Sequence, residues 1–95
     1  MSSAPTRITL HILNKSPEHP RFHHCLASVS GHDALVLTEN AVLALADNTI
    51  TLPARCFVLV PDLEARSLTS LTRAQTTDYA GLVRLTTKYE RVISW

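Results

Sequence analysis

The sequence predicts an α/β domain built on a largely parallel sheet of four to five strands. Short β-type runs alternate with helix-type runs along the whole chain, the arrangement that produces βαβ units. One run, Asp33-Ala34-Leu35-Val36-Leu37, is continuous rather than alternating, apolar at every position after Asp33, as expected of a strand covered on both faces. Ninety-five residues make one domain at most, spanning 1–95, with the polar residues 1–7 expected to be flexible.

Thr9–Leu13 reads as the first strand, stopped by Asn14-Lys15-Ser16-Pro17. Arg21–Ser30 follows as a helix with Phe22, Cys25, Leu26 and Val29 at helical spacing, and Gly31 stands where a left-handed cap is wanted. After the strand Asp33–Leu37, Thr38 or Glu39 caps a helix over Asn40–Ala46, whose Ala and Leu content favours helix. Asp47-Asn48 is a turn, and Ile50-Thr51-Leu52 a short extended piece ended by Pro53. Cys56–Val60 is the third strand, with a short helical turn from Pro61 to Arg66 after it. The Thr- and Ser-rich stretch 68–77 holds a short strand near Ala74–Thr77. Asp78 caps a last helix, Tyr79–Tyr89, with Leu82, Val83 and Leu85 as its expected buried side. Val92–Trp95 is extended and apolar, and its Trp is expected to pack rather than fray. In parallel sheets, ligands and reactive groups collect at the carboxyl ends of the strands. Asn14-Lys15-Ser16, Thr38-Glu39-Asn40 and Pro61-Asp62 fall on that edge.

Composition removes several classes. With 45% hydrophobic and 18% charged residues, the chain can build a core and does not read as a disordered segment. Nine Lys and Arg against eight Asp and Glu leave a formal charge of +1, which argues against broad nucleic-acid binding. No apolar run approaches the roughly 18–20 residues of a membrane span, and residues 1–7 hold no apolar signal region. The expectation is a soluble cytoplasmic domain.

Two glycines cannot supply a phosphate-binding loop, and neither HExxH nor CxxC is present. A serine-hydrolase reading lacks a nucleophile elbow. His19, His23, His24 and Cys25 suggest a zinc cluster, since His19 and His23 stand four apart, but Pro20 sits between them and helices tolerate it only in the first turn. Two cysteines make no disulfide framework. Cys56 leads a buried strand and reads as an inert core thiol. Cys25 has imidazole neighbours and a place toward the start of its helix; both effects lower a thiol pKa, and a thiolate can take the outer sulfur of a persulfide. The bland alternative is a half-buried helix cysteine.

Three segments carry a resemblance. Leu10-His11-Ile12-Leu13-Asn14-Lys15-Ser16-Pro17 resembles the LHxxxxSP opening of the TusB/DsrH family of small sulfur-relay subunits. Val60-Pro61-Asp62-Leu63-Glu64-Ala65-Arg66 resembles its D-L-x-A-R-G stretch, with Ser67 where Gly is usual. Asp78-Tyr79-Ala80-Gly81-Leu82-Val83-Arg84-Leu85-Thr86 with Trp95 resembles its DYxxFVxLT…W tail. The resemblance implies a three-layer α/β/α fold of the DsrE/DsrF/DsrH type. It also implies a heterohexamer with TusC-like and TusD-like homologous subunits, fed by a TusA-like carrier and emptied by a TusE-like one.

In that setting the chain serves 2-thiolation of the tRNA wobble uridine, with no cofactor, no direct nucleic-acid contact and no membrane. Some family members carry a cysteine in the first helix, where Cys25 falls, so Cys25 is the expected auxiliary persulfide carrier. The alternatives are a non-catalytic assembly subunit with Cys25 silent, a DsrH-like subunit in dissimilatory sulfur oxidation and, more distantly, a zinc-binding module.

Overall fold

A computed structural model describes residues 8–71 and 73–95; the expectation for residues 1–7 lies outside the described residues. Five strands form one sheet in the order β4-β3-β2-β1-β5, and every pairing is parallel. They are β1 (Thr9–Leu13), β2 (Ala34–Leu37), β3 (Cys56–Leu59), β4 (Gln75–Thr77) and β5 (Arg91–Ser94). The helices are α1 (Pro20–Ser28), α2 (Val60–Ala65) and α3 (Tyr79–Lys88), with a 3-10 helix over Glu39–Ala46.

From β1 to β4 the chain steps steadily toward one edge, and α3 then returns it to the other edge, where β5 pairs with β1. Crossovers of one hand therefore put α1, the 3-10 helix and α2 on one face and α3 alone on the other. The packing agrees. Leu13, Leu35, Leu37 and Val58 meet Phe22 of α1 and Leu63 of α2 in the larger core. Leu10, Ala34 and Val36, from the intervening strand positions, face Leu82, Leu85 and Tyr89. All four residues of β2 are buried, as its continuous apolar run requires.

Three sequence expectations need correction. The segment 39–46 is 3-10 rather than α-helical. Ala41, Val42, Ala44 and Leu45 are buried while Asn40, Leu43 and Ala46 are exposed, a period of three that suits 3.0 residues per turn and not 3.6. Residues 50–52 form no strand. On α3, Leu82 and Leu85 pack against the sheet, but Val83 is 62% exposed because this face carries only one helix.

Helix ends follow local chemistry. The Asp78 carboxylate accepts from the Gly81 N–H at 2.7 Å, capping α3. Gly81 keeps room there, because a Cβ would crowd the Thr77 hydroxyl and force it to turn away. Arg73 donates to the carbonyls of Ala44, Leu45, Asp47 and Ile50, satisfying the groups a helix end leaves open. Past α2, Leu68 N–H bonds the Leu63 carbonyl at 3.0 Å and Ser67 N–H bonds that of Glu64 at 3.2 Å. This paired bonding is a Schellman motif, and Leu63 and Leu68 supply its apolar contact. Ser67 takes the left-handed position with φ 55°, so the turn that glycine favours is kept without glycine.

A left-handed L-residue costs about 1–2 kcal/mol, whereas glycine adds an entropic penalty of roughly 0.5–1 kcal/mol. Ser67→Gly is therefore expected to raise unfolding stability by up to about 1 kcal/mol, read as a higher urea midpoint at constant slope. A lower midpoint would mean that the serine side chain holds this turn.

Candidate functional site

Cys25 lies sixth in the nine-residue α1 and is fully buried, on the stripe shared with Phe22. Burial, and then the facing Cys56, pushes its thiol up to about 12. Burial likewise pushes Cys56 up to about 12. Both cysteines are free thiols in the core. The surroundings expected to activate Cys25 are not assembled here: it sits beyond the first turn of its helix, and His23 and His24 are exposed. At pH 7 such a thiol is held protonated, whereas an ordinary exposed cysteine carries a few per cent as thiolate.

The zinc reading lacks its geometry. His19 stands outside α1 as the cap, where its Nδ1 accepts from the Arg21 N–H at 3.1 Å, and Pro20 opens the helix. His19 and His23 therefore do not share one helical face. Among the described residues no three of His, Cys, Asp and Glu come together as ligands.

The carboxyl edge of the sheet gathers the loops expected there. A cleft of about 460 Å³ is lined by Asn14, Thr38, Glu39, Asp62, Tyr79 and Trp95, among others. Asp62 accepts from the Glu39 N–H at 2.7 Å, and Asn14 donates to the Glu39 carboxylate at 3.4 Å. Glu39 is left-handed with φ 50°, a strained position for this residue type, held by that bond. Arg66 binds the Asn40 amide oxygen at 2.9 Å and lies 3.9 Å from the Asp62 carboxylate. Lys15 donates to the Trp95 carbonyl at 2.7 Å. No cysteine borders this cleft, so it can position a partner but offers no sulfur nucleophile.

Beside it lies a network that element-by-element reading of the sequence misses. His11, 2% exposed, points from β1 toward the α1 face. Its Nε2 is 3.1 Å from an Asp33 carboxylate oxygen, and its Nδ1 is 3.1 Å from the Trp95 indole nitrogen. Indole N–H only donates, so Nδ1 is the acceptor and Nε2 carries the hydrogen. Trp95 also lies under the Arg21 guanidinium, 5.6 Å from the ring centre. Asp33 accepts in addition from the backbone N–H groups of Thr9 at 2.9 Å and Ser30 at 3.2 Å. Both ring nitrogens of His11 are engaged, which leaves none for substrate. The available signal was an imidazole in mid-strand, where a buried polar ring must find partners; His11 and Trp95 belong to the first and last quoted motifs.

Burial alone would push the Asp33 carboxyl up, but the hydrogen bonds from Thr9, His11 and Ser30 outweigh it and hold it below its ordinary value. A depressed folded-state pKa stabilises the fold above the unfolded value of about 3.9 and loses that contribution as pH falls through the folded value. Asp33→Asn is expected to lower stability at pH 7 and to flatten the acid limb of a stability–pH profile below about pH 4. An acid limb identical to that of the unaltered protein would remove Asp33 from this role.

No helix among the described residues is long and apolar enough to cross a membrane. The family model described as "DsrH like protein" matches residues 15–92. Protein TusB of Pectobacterium parmentieri is 32% identical over 94 aligned residues, covering 90% of this chain and 99% of that protein. Protein TusB of Shigella flexneri is 34% identical over the same extent. With the five-stranded parallel sheet flanked by helices, these matches place the chain in the TusB/DsrH family.

Proposed function

We propose that this chain is a non-catalytic subunit of a cytoplasmic sulfur-relay complex, assembled with TusC-like and TusD-like subunits. In this reading the complex receives persulfide sulfur from a TusA-like carrier and passes it to a TusE-like one for 2-thiolation of the tRNA wobble uridine. The chain contributes shape and contact, and Cys25 is a core thiol. The observation that carries this is the complete burial of Cys25, with a thiol pKa raised to about 12. Family membership supports the sulfur-relay setting. The formal charge of +1 suits a protein that meets other proteins and leaves tRNA to another component.

The competing reading makes Cys25 an auxiliary persulfide carrier, which requires α1 to open and release it. Mass spectrometry of the co-expressed complex after incubation with a persulfide donor separates the two. The expected result is a gain of about 32 Da, one sulfur atom, on a partner subunit and none on this chain, with Cys25→Ala without effect on relay. An adduct on this chain that Cys25→Ala abolishes would overturn the non-catalytic reading and make Cys25 a carrier. A second setting, which the resemblance of the quoted motifs also implies, is a DsrH-like subunit of dissimilatory sulfur oxidation. Sulfite-reductase genes beside the coding region would select it.

A further inference from the structure

The two faces of the sheet are covered unequally. Three helical segments pack on one, but α3 alone lies on the other, over the strands near β1 and β2. Beside α3 the sheet surface is partly open at Phe57 of β3 and along β4, whereas Leu59 at the end of β3 is buried. Two adjoining hollows, about 370 Å³ and 350 Å³, share Phe57 and Lys88 and run along it. Their apolar floor is Phe57, Leu85 and Tyr89, each only partly buried. Gln75 and Thr77 pair in register with Phe57 and Leu59, so the floor turns polar toward the β4 edge.

The rim is mainly cationic, although the Asp78 carboxylate caps Gly81 beside one hollow and the Glu90 carboxylate accepts from the Ile8 N–H beside the other. Arg55, Arg84 and Lys88 border the hollows, all three exposed, and no Asp or Glu lines either hollow. Among the described residues none of the three forms an ion pair, although the whole chain is nearly balanced at +1. An apolar strip that gives way to polar ground, with cations along its side, complements an amphipathic helix with a narrow apolar stripe and acidic flanks. Such a helix would lie beside α3, in the place where a three-layer α/β fold ordinarily has a second covering helix. Residues 1–7 carry Arg7 and no acid, so the chain's own leading segment does not match this charge. Three cations neutralise too few phosphates for firm nucleic-acid binding.

We propose that the groove between α3 and β3–β4 is a docking site for an acidic amphipathic helix of a partner protein, anchored on Phe57, Leu85 and Tyr89 and held by Arg55, Arg84 and Lys88. This deepens the reading that the chain works within a protein complex. Co-expression with the homologous subunits tests that reading; a separate probe tests the groove.

The probe is a labelled helical peptide of about 15 residues, long enough to span the four residues of β3, with Leu at i, i+4 spacing and Glu on both flanks. Its binding to the full chain is followed by fluorescence anisotropy. The expected result is binding that weakens with added salt, and at least about tenfold weaker binding to Arg84→Glu/Lys88→Glu, with a smaller loss for Arg55→Glu. These positions are exposed, so the variants keep the fold, which circular dichroism checks. Equal binding of a copy with Lys in place of Glu, affinity unmoved by the charge reversals, or tighter binding of an oligouridine than of the peptide would each overturn the proposal. If the peptide binds as expected while co-expression gives no complex, the complex reading fails and the groove stands.

Discussion

The two carboxylate oxygens of Asp33 take three hydrogen bonds from two separate parts of the chain: the Thr9 backbone and the His11 imidazole of β1, and the Ser30 backbone after α1. Through His11 the tie extends to the Trp95 indole. Much of the architecture relies on this link, because β5 is the last strand and must settle beside β1 after the chain has reached the opposite edge of the sheet. β5 itself has little burial to hold it, since Arg91, Val92 and Ser94 are all exposed. Its place is secured by the ladder to β1, by the Trp95 N–H on the Ile12 carbonyl at 2.8 Å, and by the indole packed against the larger core. A buried imidazole with both nitrogens bonded also fixes one register for that closure, since a slip of one residue would turn His11 to the other face.

The positions of β1, β2 and β3 were legible because dense apolar runs have few alternatives in a domain this small. What escaped the sequence did so for identifiable reasons. Ala41–Leu45 is apolar all round, so its sequence hides whether the period is 3.0 or 3.6, and only the exposure of Asn40, Leu43 and Ala46 settles it. Val83 adjoins Leu82 in the chain but is turned about 100° from it on a helix, and no second helix covers it. The spacing of Cys25 with Phe22 placed it correctly on the apolar stripe, and that placement is what buries it. Its imidazole neighbours in sequence are not neighbours on that face. The carboxyl-edge loops converge as a parallel sheet requires, whereas the pairing of His11 with Asp33 and Trp95 spans the chain and leaves no local periodicity to read.

Backbone strain falls at two turns, one of them on that same edge. Glu39 and Ser67 are the non-glycine residues with positive φ among the described residues, and they flank the 3-10 helix and α2 respectively. Each is held by bonds of its own neighbourhood: the Asp62 carboxylate takes the Glu39 N–H, and the Schellman pair closes around Ser67. Asp62 and Arg66 then join the loops after β2 and β3 through Glu39 and Asn40. An edge cross-linked in this way presents a fixed surface, which suits binding with little ordering cost.

The two faces of the sheet thus do different work. One is closed by three helical segments, and that closure removes both thiols from water and raises their pKa values. A face sealed so tightly has no route by which sulfur could reach Cys25 without local opening. The other face spends a single helix on five strands and leaves Tyr79 and Val83 60% and 62% exposed. Apolar exposure of this kind is costly to keep on an isolated small domain and is ordinary on one whose surface is completed by another chain. Both thiols thus lie inside, and the uncovered apolar and cationic surface lies outside.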